Sequence, residues 1–197
     1  MPTDAMTQQS EFWVFAYGSL IWKPGFDCAE RRLARLDGYQ RRFSLKSEHY
    51  RGTPEAPGLV LGLDRIEGES CIGVALRAHA SEERQVRDYL AERELVSYAY
   101  FETLYPLTFL DGEDGETCNA ICYVLDRSHA QYIGPMPIAE QAQIIASAEG
   151  PAGPNIEYLT NTLEQLRAYG IHDQHLEDVA AEVFALRTAS RPEEPAQ

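Results

Sequence analysis

The chain has 197 residues, of which 17 are basic and 31 are acidic, so its formal net charge is −14 at pH 7. Because nucleic acids and anionic membranes attract proteins with surplus positive charge, this balance argues against both as partners. The length suits a single domain with its own core, and the hydrophobic fraction of 44% is ordinary for a globular protein. Uncharged runs such as 12–22 are shorter than the roughly 20 residues that a membrane-spanning helix needs.

The cysteines and the two chain ends indicate the compartment and the domain limits. The four cysteines form no CxxC pair, and residues 1–11 lack the basic start of a signal peptide, so we expect reduced thiols and a cytoplasmic protein. Polar composition predicts disordered tails over 1–10 and 190–197, with one domain over 11–189. A monomer and a homodimer are both compatible with the sequence.

The first two-thirds of the chain predicts strands. β-Branched and aromatic residues alternate between Gly-, Pro- and acid-rich turns, and a stiff Pro/Gly loop covers 51–58. The turns at 67–70 and 111–116 predict two hairpins, each formed by the strands that flank the turn. The predicted strands are 12–19, 36–45, 59–66, 71–79, 98–110 and 117–125.

The last third predicts helices. Ser81 and Asn155 are suitable N-caps for helices that end near Glu94 and near Gly170, and Asp173 for one whose apolar stripe reaches Leu186. A further helix is predicted over 137–150. Strands followed by helices predict an α+β domain, in which a small, mainly antiparallel sheet or barrel is flanked by helices.

The segment Tyr17-Gly18-Ser19-Leu20 leaves the end of the first predicted strand. Gly18 allows a ligand to approach the backbone closely, and successive N–H groups of such a turn can hold an anion or a developing oxyanion. The alternative is an ordinary strand-end turn in which Ser19 makes a hydrogen bond. A serine nucleophile does not fit, because the G-x-S-x-G motif would require glycine at positions 17 and 21.

Glu94 is predicted to lie at the margin of the apolar face of its helix, near the helix end. A partly desolvated carboxylate there would have a raised pKa and would accept a proton well near neutral pH. The alternative is a structural glutamate paired with Arg93 or Arg87.

Residues 31–51 form a basic island, with seven basic and two acidic residues in an otherwise acidic chain. Such an island could attract an anionic small molecule, and Arg51 is its most interesting member because it opens the Pro/Gly loop. The alternative is a solvated strand face with cross-strand partners. His172 and His175 are spaced for a shared metal but lack a third ligand, so neither a metal nor a cofactor is expected.

Several ordered motifs resemble the ChaC-type glutathione-specific γ-glutamylcyclotransferases, over roughly 12–187. The motifs are WVFAYGSLIW at 13–22, RGTP at 51–54, RELV at 93–96, YIGP at 132–135 and NIEYL at 155–159. The resemblance implies the γ-glutamylcyclotransferase fold and an intramolecular reaction that converts glutathione to 5-oxoproline and Cys-Gly without a cofactor.

The resemblance also implies the site residues. Glu94 would be the general base, and the Tyr17–Leu20 backbone would hold the oxyanion. The implied substrate-binding residues are Val14, Phe15, Ala16, Tyr17, Gly18, Ser19, Leu20, Arg51 and Tyr158. Departures from the family pattern at Ala16 and Ser97 make another γ-glutamyl amino acid or amine the alternative substrate. A binding module without catalysis on the same fold is the second alternative.

Overall fold

The computed structural model describes residues 11–95 and 99–189. Five strands form a closed barrel in the order β1-β3-β2-β4-β5, and five α-helices follow or interrupt them. The strands are β1 (Trp13–Ala16), β2 (Cys28–Ser47), β3 (Gly58–Ala78), β4 (Tyr100–Phe109) and β5 (Thr117–Leu125). The helices are α1 (Ser19–Trp22), α2 (Glu83–Glu94), α3 (Ile138–Ser147), α4 (Asn155–Ala168) and α5 (Gln174–Ala189). A 3₁₀ turn (Ala80–Glu82) precedes α2, and a short two-stranded ladder (Glu149–Gly150 with Gly153–Pro154) precedes α4.

The barrel is mainly antiparallel. The long strands β2 and β3 pair antiparallel along most of their length, as do β4 and β5, whereas β1 lies antiparallel to β3 and parallel to β5. Its apolar side chains and those of the helices form one main core, which includes Tyr17, Leu20 and Ile21 of the segment that follows β1. The predicted α+β class with a small barrel is therefore confirmed.

The prediction of a hairpin between 59–66 and 71–79 is wrong. Both segments belong to the single strand β3 and both pair with β2 instead of with each other. The predicted turn is an irregularity within the ladder, where Asp37 pairs with Ser70 and Tyr39 already pairs with Arg65. Extra residues in one strand of a pair bulge outwards and bend the strand, which lets the two long strands curve around the barrel. The second predicted hairpin, β4 with β5, is confirmed.

The element ends differ in part from the prediction. The first strand ends at Ala16 because the chain turns into α1, and β2 begins at Cys28, eight residues before its predicted start. Ser81 lies in the 3₁₀ turn and makes no cap hydrogen bond, so α2 begins only at Glu83, although it ends at Glu94 as predicted. The helix predicted over 137–150 ends at Ser147.

The two remaining predicted caps have different outcomes. Asp173 caps α5, because its Oδ1 accepts the Leu176 N–H at 3.1 Å. Asn155 is the first residue of α4 rather than its cap, and its side chain binds Leu59 of β3 instead. The Asn155 side-chain amide therefore joins α4 to the barrel through hydrogen bonds.

The predicted tails, 1–10 and 190–197, lie outside the described residues, so the domain limits stay a prediction. Within the described part of the chain, no helix combines the length and the apolar character needed to cross a membrane. All four cysteines are free thiols.

Candidate active site

A cavity of about 360 Å³ lies between the turn after β1, the end of α2 and the segment that follows β2. Its volume is within the range of about 300–1,000 Å³ that is usual for small-molecule sites. The lining includes Tyr17, Gly18, Ser19, Leu20, Lys46, Arg51, Arg93, Glu94, Tyr100, Tyr123 and Tyr158. The structure thus brings together Glu94, Arg51, Tyr158 and the Tyr17–Leu20 turn, which lie far apart in the sequence.

Three residues that the resemblance places at the substrate do not line the cavity. Val14, Phe15 and Ala16 are fully buried in the barrel core, where β1 is covered by β3 on one side and by β5 on the other. Their substrate-binding role stays a prediction, and this placement does not favour it. The cavity lining begins at Tyr17.

The turn after β1 needs a small residue at position 18. A Cβ atom added to Gly18 would lie 3.0 Å from the Tyr158 hydroxyl, closer than side chains usually approach. The Gly18 carbonyl accepts the Ile21 N–H at 2.9 Å, which starts the short helix α1 directly after the strand. The first N–H groups of a helix have no intrahelical partners, and those of α1 belong to Ser19 and Leu20, which line the cavity.

Glu94 is the last residue of α2, and its side chain is 16% exposed. Burial raises the pKa of its carboxyl group, and the positive charge of Arg93 partly opposes that rise. The Arg93 Nε atom lies 3.0 Å from Glu94 Oε1, whereas Arg87 pairs with Glu83 on the surface. The predicted desolvation and the alternative ion pair with Arg93 are therefore both present.

Arg93 also connects two walls of the cavity. Its Nη2 donates to the Ser19 hydroxyl at 2.9 Å, and its Nη1 donates to the Tyr89 hydroxyl at 2.9 Å and to the Lys23 carbonyl. Sequence reasoning considered Arg93 only as a partner of Glu94. The contact with Ser19 joins residues 74 positions apart, which no local pattern reveals.

Three tyrosines surround Glu94, of which Tyr17 and Tyr158 are buried and Tyr100 is partly buried. The Tyr17 hydroxyl donates to the Tyr123 carbonyl at 3.0 Å, the Tyr100 hydroxyl donates to the Leu61 carbonyl at 3.0 Å, and the Tyr158 hydroxyl accepts the Leu61 N–H at 3.3 Å. Burial, reinforced by the charge of Glu94, raises the pKa of all three, that of Tyr158 to about 12. These hydroxyls are therefore neutral at physiological pH. Tyr17 and Tyr100 donate their single hydroxyl protons to carbonyl groups, whereas the Tyr158 hydroxyl accepts from Leu61 and can donate its own proton to an anionic ligand.

Tyr100 is a cavity residue that sequence reasoning missed. It stands at the start of β4, where it looks like any aromatic residue of a strand. No motif at that position marks it as part of a site.

Arg51 is the member of the basic island that is both buried and at the cavity. Its Nη1 donates to the Pro154 carbonyl at 3.0 Å and lies 3.6 Å from Glu157 Oε2, so the guanidinium is held at the start of α4. Two other members of the island pair with acidic residues, as the structural alternative expects. Arg32 pairs with Asp111 and Glu116, and Arg35 pairs with Asp37.

The histidines singled out as a weak metal pair have other surroundings. His175 Nε2 lies 3.2 Å from the Gln141 Oε1 atom, and burial lowers the pKa of the His175 imidazole. Over 11–95 and 99–189, no group of three or more His, Cys, Asp or Glu residues is arranged to hold a metal ion.

Comparison with known proteins gives consistent matches. A family model described as "ChaC-like protein" matches residues 12–186. Gamma-glutamylcyclotransferase 2-3 of Arabidopsis thaliana is 38% identical over 176 residues, which cover 87% of each chain. Glutathione-specific gamma-glutamylcyclotransferase of Escherichia coli is 34% identical over 181 residues, covering 92% of this chain and 76% of the other. The crystal structure of the yeast glutathione-specific enzyme is similar with a TM-score of 0.77 at 25% identity, covering 90% of this chain and all of the other.

Proposed function

The chain belongs to the ChaC-like family, and from that premise we propose that it is a γ-glutamylcyclotransferase that degrades glutathione to 5-oxoproline and Cys-Gly. The observation that carries the proposal is the cavity shared by a partly buried carboxylate, Glu94, and the start of α1. Relatives from bacteria, fungi and animals that carry the name glutathione-specific gamma-glutamylcyclotransferase support the choice of substrate.

In the proposed reaction, the α-amino group of the γ-glutamyl residue attacks the γ-carbonyl carbon of the same residue. This amine is protonated at neutral pH, because its unperturbed pKa is about 8. Glu94 accepts the proton, and its raised pKa brings its basicity closer to that of the amine. General-base assistance of this kind is typically worth a factor of about 10²–10⁴ in rate.

The tetrahedral intermediate carries its negative charge on the former carbonyl oxygen. Backbone N–H groups of the Gly18–Leu20 turn are the proposed donors to that oxygen, and loss of one such donor typically costs about 10²–10³ in rate. The intermediate collapses when the C–N bond to Cys-Gly breaks. The leaving nitrogen takes the proton that Glu94 holds and the second proton that the ring nitrogen gives up, so that 5-oxoproline carries a neutral amide and Cys-Gly leaves as an ammonium. Atoms balance without water, so the reaction as written requires no cofactor.

The neutral tyrosines and Arg51 are the proposed groups that fold the substrate. Cyclisation requires the glutamyl chain to bend until its amine reaches its own γ-carbonyl, and holding it bent supplies the proximity effect. The Tyr158 hydroxyl can donate to the α-carboxylate, Tyr100 lines the same cavity, and Arg51 contributes positive charge on the same side as Tyr158.

The first test compares wild type, Glu94→Gln and a matched control, Glu92→Gln, with glutathione and with neither metal nor nucleotide added. Glu92 lies on the same helix but is exposed. Wild type and the control should release 5-oxoproline and Cys-Gly in equal amounts, and Glu94→Gln should remain folded and lose activity by on the order of 10³. Near-normal turnover by folded Glu94→Gln would contradict the assigned base.

A substrate panel separates glutathione from the alternatives. γ-Glutamyl dipeptides turned over faster than glutathione would favour the broader cyclotransferase, and saturable binding without 5-oxoproline would favour a binding module. The four free cysteines fit a reducing compartment, which supports the proposed cytoplasmic location. A sedimentation measurement would distinguish a monomer from a homodimer.

A further inference from the structure

Arg41 of β2 is a buried cation beneath the turn that follows β1. Its side chain is 3% exposed, it does not line the cavity, and its Nε donates to the Tyr17 carbonyl at 2.6 Å. We propose that Arg41 and Asp173 are positioning residues that orient the Tyr17–Gly18 peptide so that the Gly18 N–H points into the active-site cavity. This inference rests on the proposed function, because it assigns that N–H to the oxyanion.

Three partners from different elements fix the Arg41 guanidinium. Besides Tyr17, it donates through Nη2 to the Ile72 carbonyl of β3 at 2.5 Å and through Nη1 to Asp173 Oδ2 at 3.2 Å. A guanidinium carries its N–H donors in one rigid plane, so three attachments leave it no freedom to rotate. The position of the Tyr17 carbonyl is therefore set by β3 and by the start of α5.

The orientation of the Tyr17 carbonyl determines that of the next N–H group. The structure contains no cis peptide bond among the described residues, and in a planar trans peptide the C=O and N–H groups point in opposite directions. Because Arg41 holds the carbonyl on the core side, the Gly18 N–H is directed to the other side, where Gly18 lines the cavity. Within 11–95 and 99–189 this N–H has no hydrogen-bond acceptor, so it is available to a ligand.

Asp173 has two functions in this arrangement. Its Oδ1 caps α5 through the Leu176 N–H at 3.1 Å, while its Oδ2 supplies the negative charge that faces Arg41. A buried guanidinium without an opposite charge is costly and tends to move towards water or another partner. Removal of that charge should therefore loosen Arg41 and, through it, the Tyr17–Gly18 peptide.

The decisive variant is Asp173→Asn. Asparagine caps helices as well as aspartate does and has nearly the same size, so the substitution removes mainly the charge. The matched control is Glu177→Gln on the same helix, which removes a surface ion pair with Arg167 that is remote from Arg41. Both variants and wild type are compared for kcat, KM for glutathione, thermal stability and the amide NMR resonance of Gly18.

We expect Asp173→Asn to lower kcat about 10-fold to 100-fold with KM within about twofold, since a misplacement of about 1 Å can cost about 10² in rate. The Gly18 amide resonance should shift in Asp173→Asn and stay in place in Glu177→Gln. If Asp173→Asn does not fold, Arg41→Lys takes its place, because lysine keeps the charge but lacks the planar donors.

An unmoved Gly18 resonance, or a kcat equal to that of Glu177→Gln, would overturn the inference. A fall in kcat that merely follows a fall in thermal stability would also overturn it. If wild type forms no 5-oxoproline, the proposed function fails, and the Gly18 resonance alone decides whether Arg41 and Asp173 orient the peptide.

Discussion

The guanidinium of Arg93 donates a hydrogen bond of 2.9 Å to the hydroxyl of Ser19. This bond joins the end of α2, which carries Glu94, to the start of α1, which supplies the proposed oxyanion donors. The proposed base and the proposed cradle are therefore held at a fixed separation by a side chain that contacts both.

Arg93→Lys should lower kcat by roughly 10-fold, because an ammonium cannot contact Glu94, Ser19 and Tyr89 at the same time as the planar guanidinium does. Steady-state turnover of glutathione checks this expectation. Arg87→Lys is the control on the same helix, because Arg87 forms a surface ion pair with Glu83. Equal activity of the two variants would contradict the linking role of Arg93.

The pH dependence of kcat/KM should show an acid limb set by Glu94. The carboxylate must be ionised to accept the amine proton, and its pKa is raised by burial, so activity falls at a higher pH than an exposed glutamate would cause. Arg93 opposes the rise, so Arg93→Gln should move the limb to still higher pH. A limb that does not move in Arg93→Gln, measured beside Arg87→Gln, would argue against Glu94 as the titrating group.

Glu94→Gln should gain stability relative to wild type as the pH rises. Burial raises the pKa of Glu94 in the folded state above its value in the unfolded state. At a pH between these two pKa values the folded protein binds the proton more tightly than the unfolded protein does, so the free energy of unfolding falls as the pH rises through this interval. This loss of stability is complete above the folded-state pKa and absent below the unfolded-state pKa. Urea unfolding of both proteins at acidic and at mildly basic pH tests this, and a constant difference would refute it.

Gly18→Ala should impair catalysis, because its Cβ would lie 3.0 Å from the Tyr158 hydroxyl and would crowd the proposed oxyanion position. We expect kcat/KM to fall roughly 10-fold to 100-fold. Adding Tyr158→Phe removes the crowding hydroxyl, so the double variant should be more active than the product of the two single effects predicts. Simple additivity in this double-mutant cycle would show that the contact does not matter.

Asn155→Ala should lower the stability of the fold and leave the chemical step unaffected. Asn155 is fully buried and forms hydrogen bonds with both the N–H and the carbonyl of Leu59, at 2.7 and 2.8 Å. Leaving these two backbone groups unpaired should cost roughly 2–4 kcal/mol of unfolding free energy. Urea denaturation gives the value, and Glu164→Ala on the exposed face of the same helix should change it by less than about 0.5 kcal/mol.

Particular elements show where sequence reasoning succeeded and failed. The end of α2 at Glu94, the cap at Asp173 and the β4–β5 hairpin depend on neighbouring residues, and all three were predicted correctly. The hairpin predicted across 67–70 failed because a Gly-containing segment forms either a turn or a bulge, and the long partner strand β2 decides between them.

The α+β class, the ordered motifs and the candidates Glu94 and Tyr17–Leu20 could be predicted from the sequence, because each depends on residues that are neighbours in the chain. The tertiary structure was needed to show that β3 is one strand paired along β2, that Val14 and its neighbours lie in the core, that Arg93 and Tyr100 line the site, and that Arg41 lies beneath it. Those contacts join residues far apart in the chain. They form only when strand pairing and helix packing bring the side chains together, so no local sequence pattern predicts them.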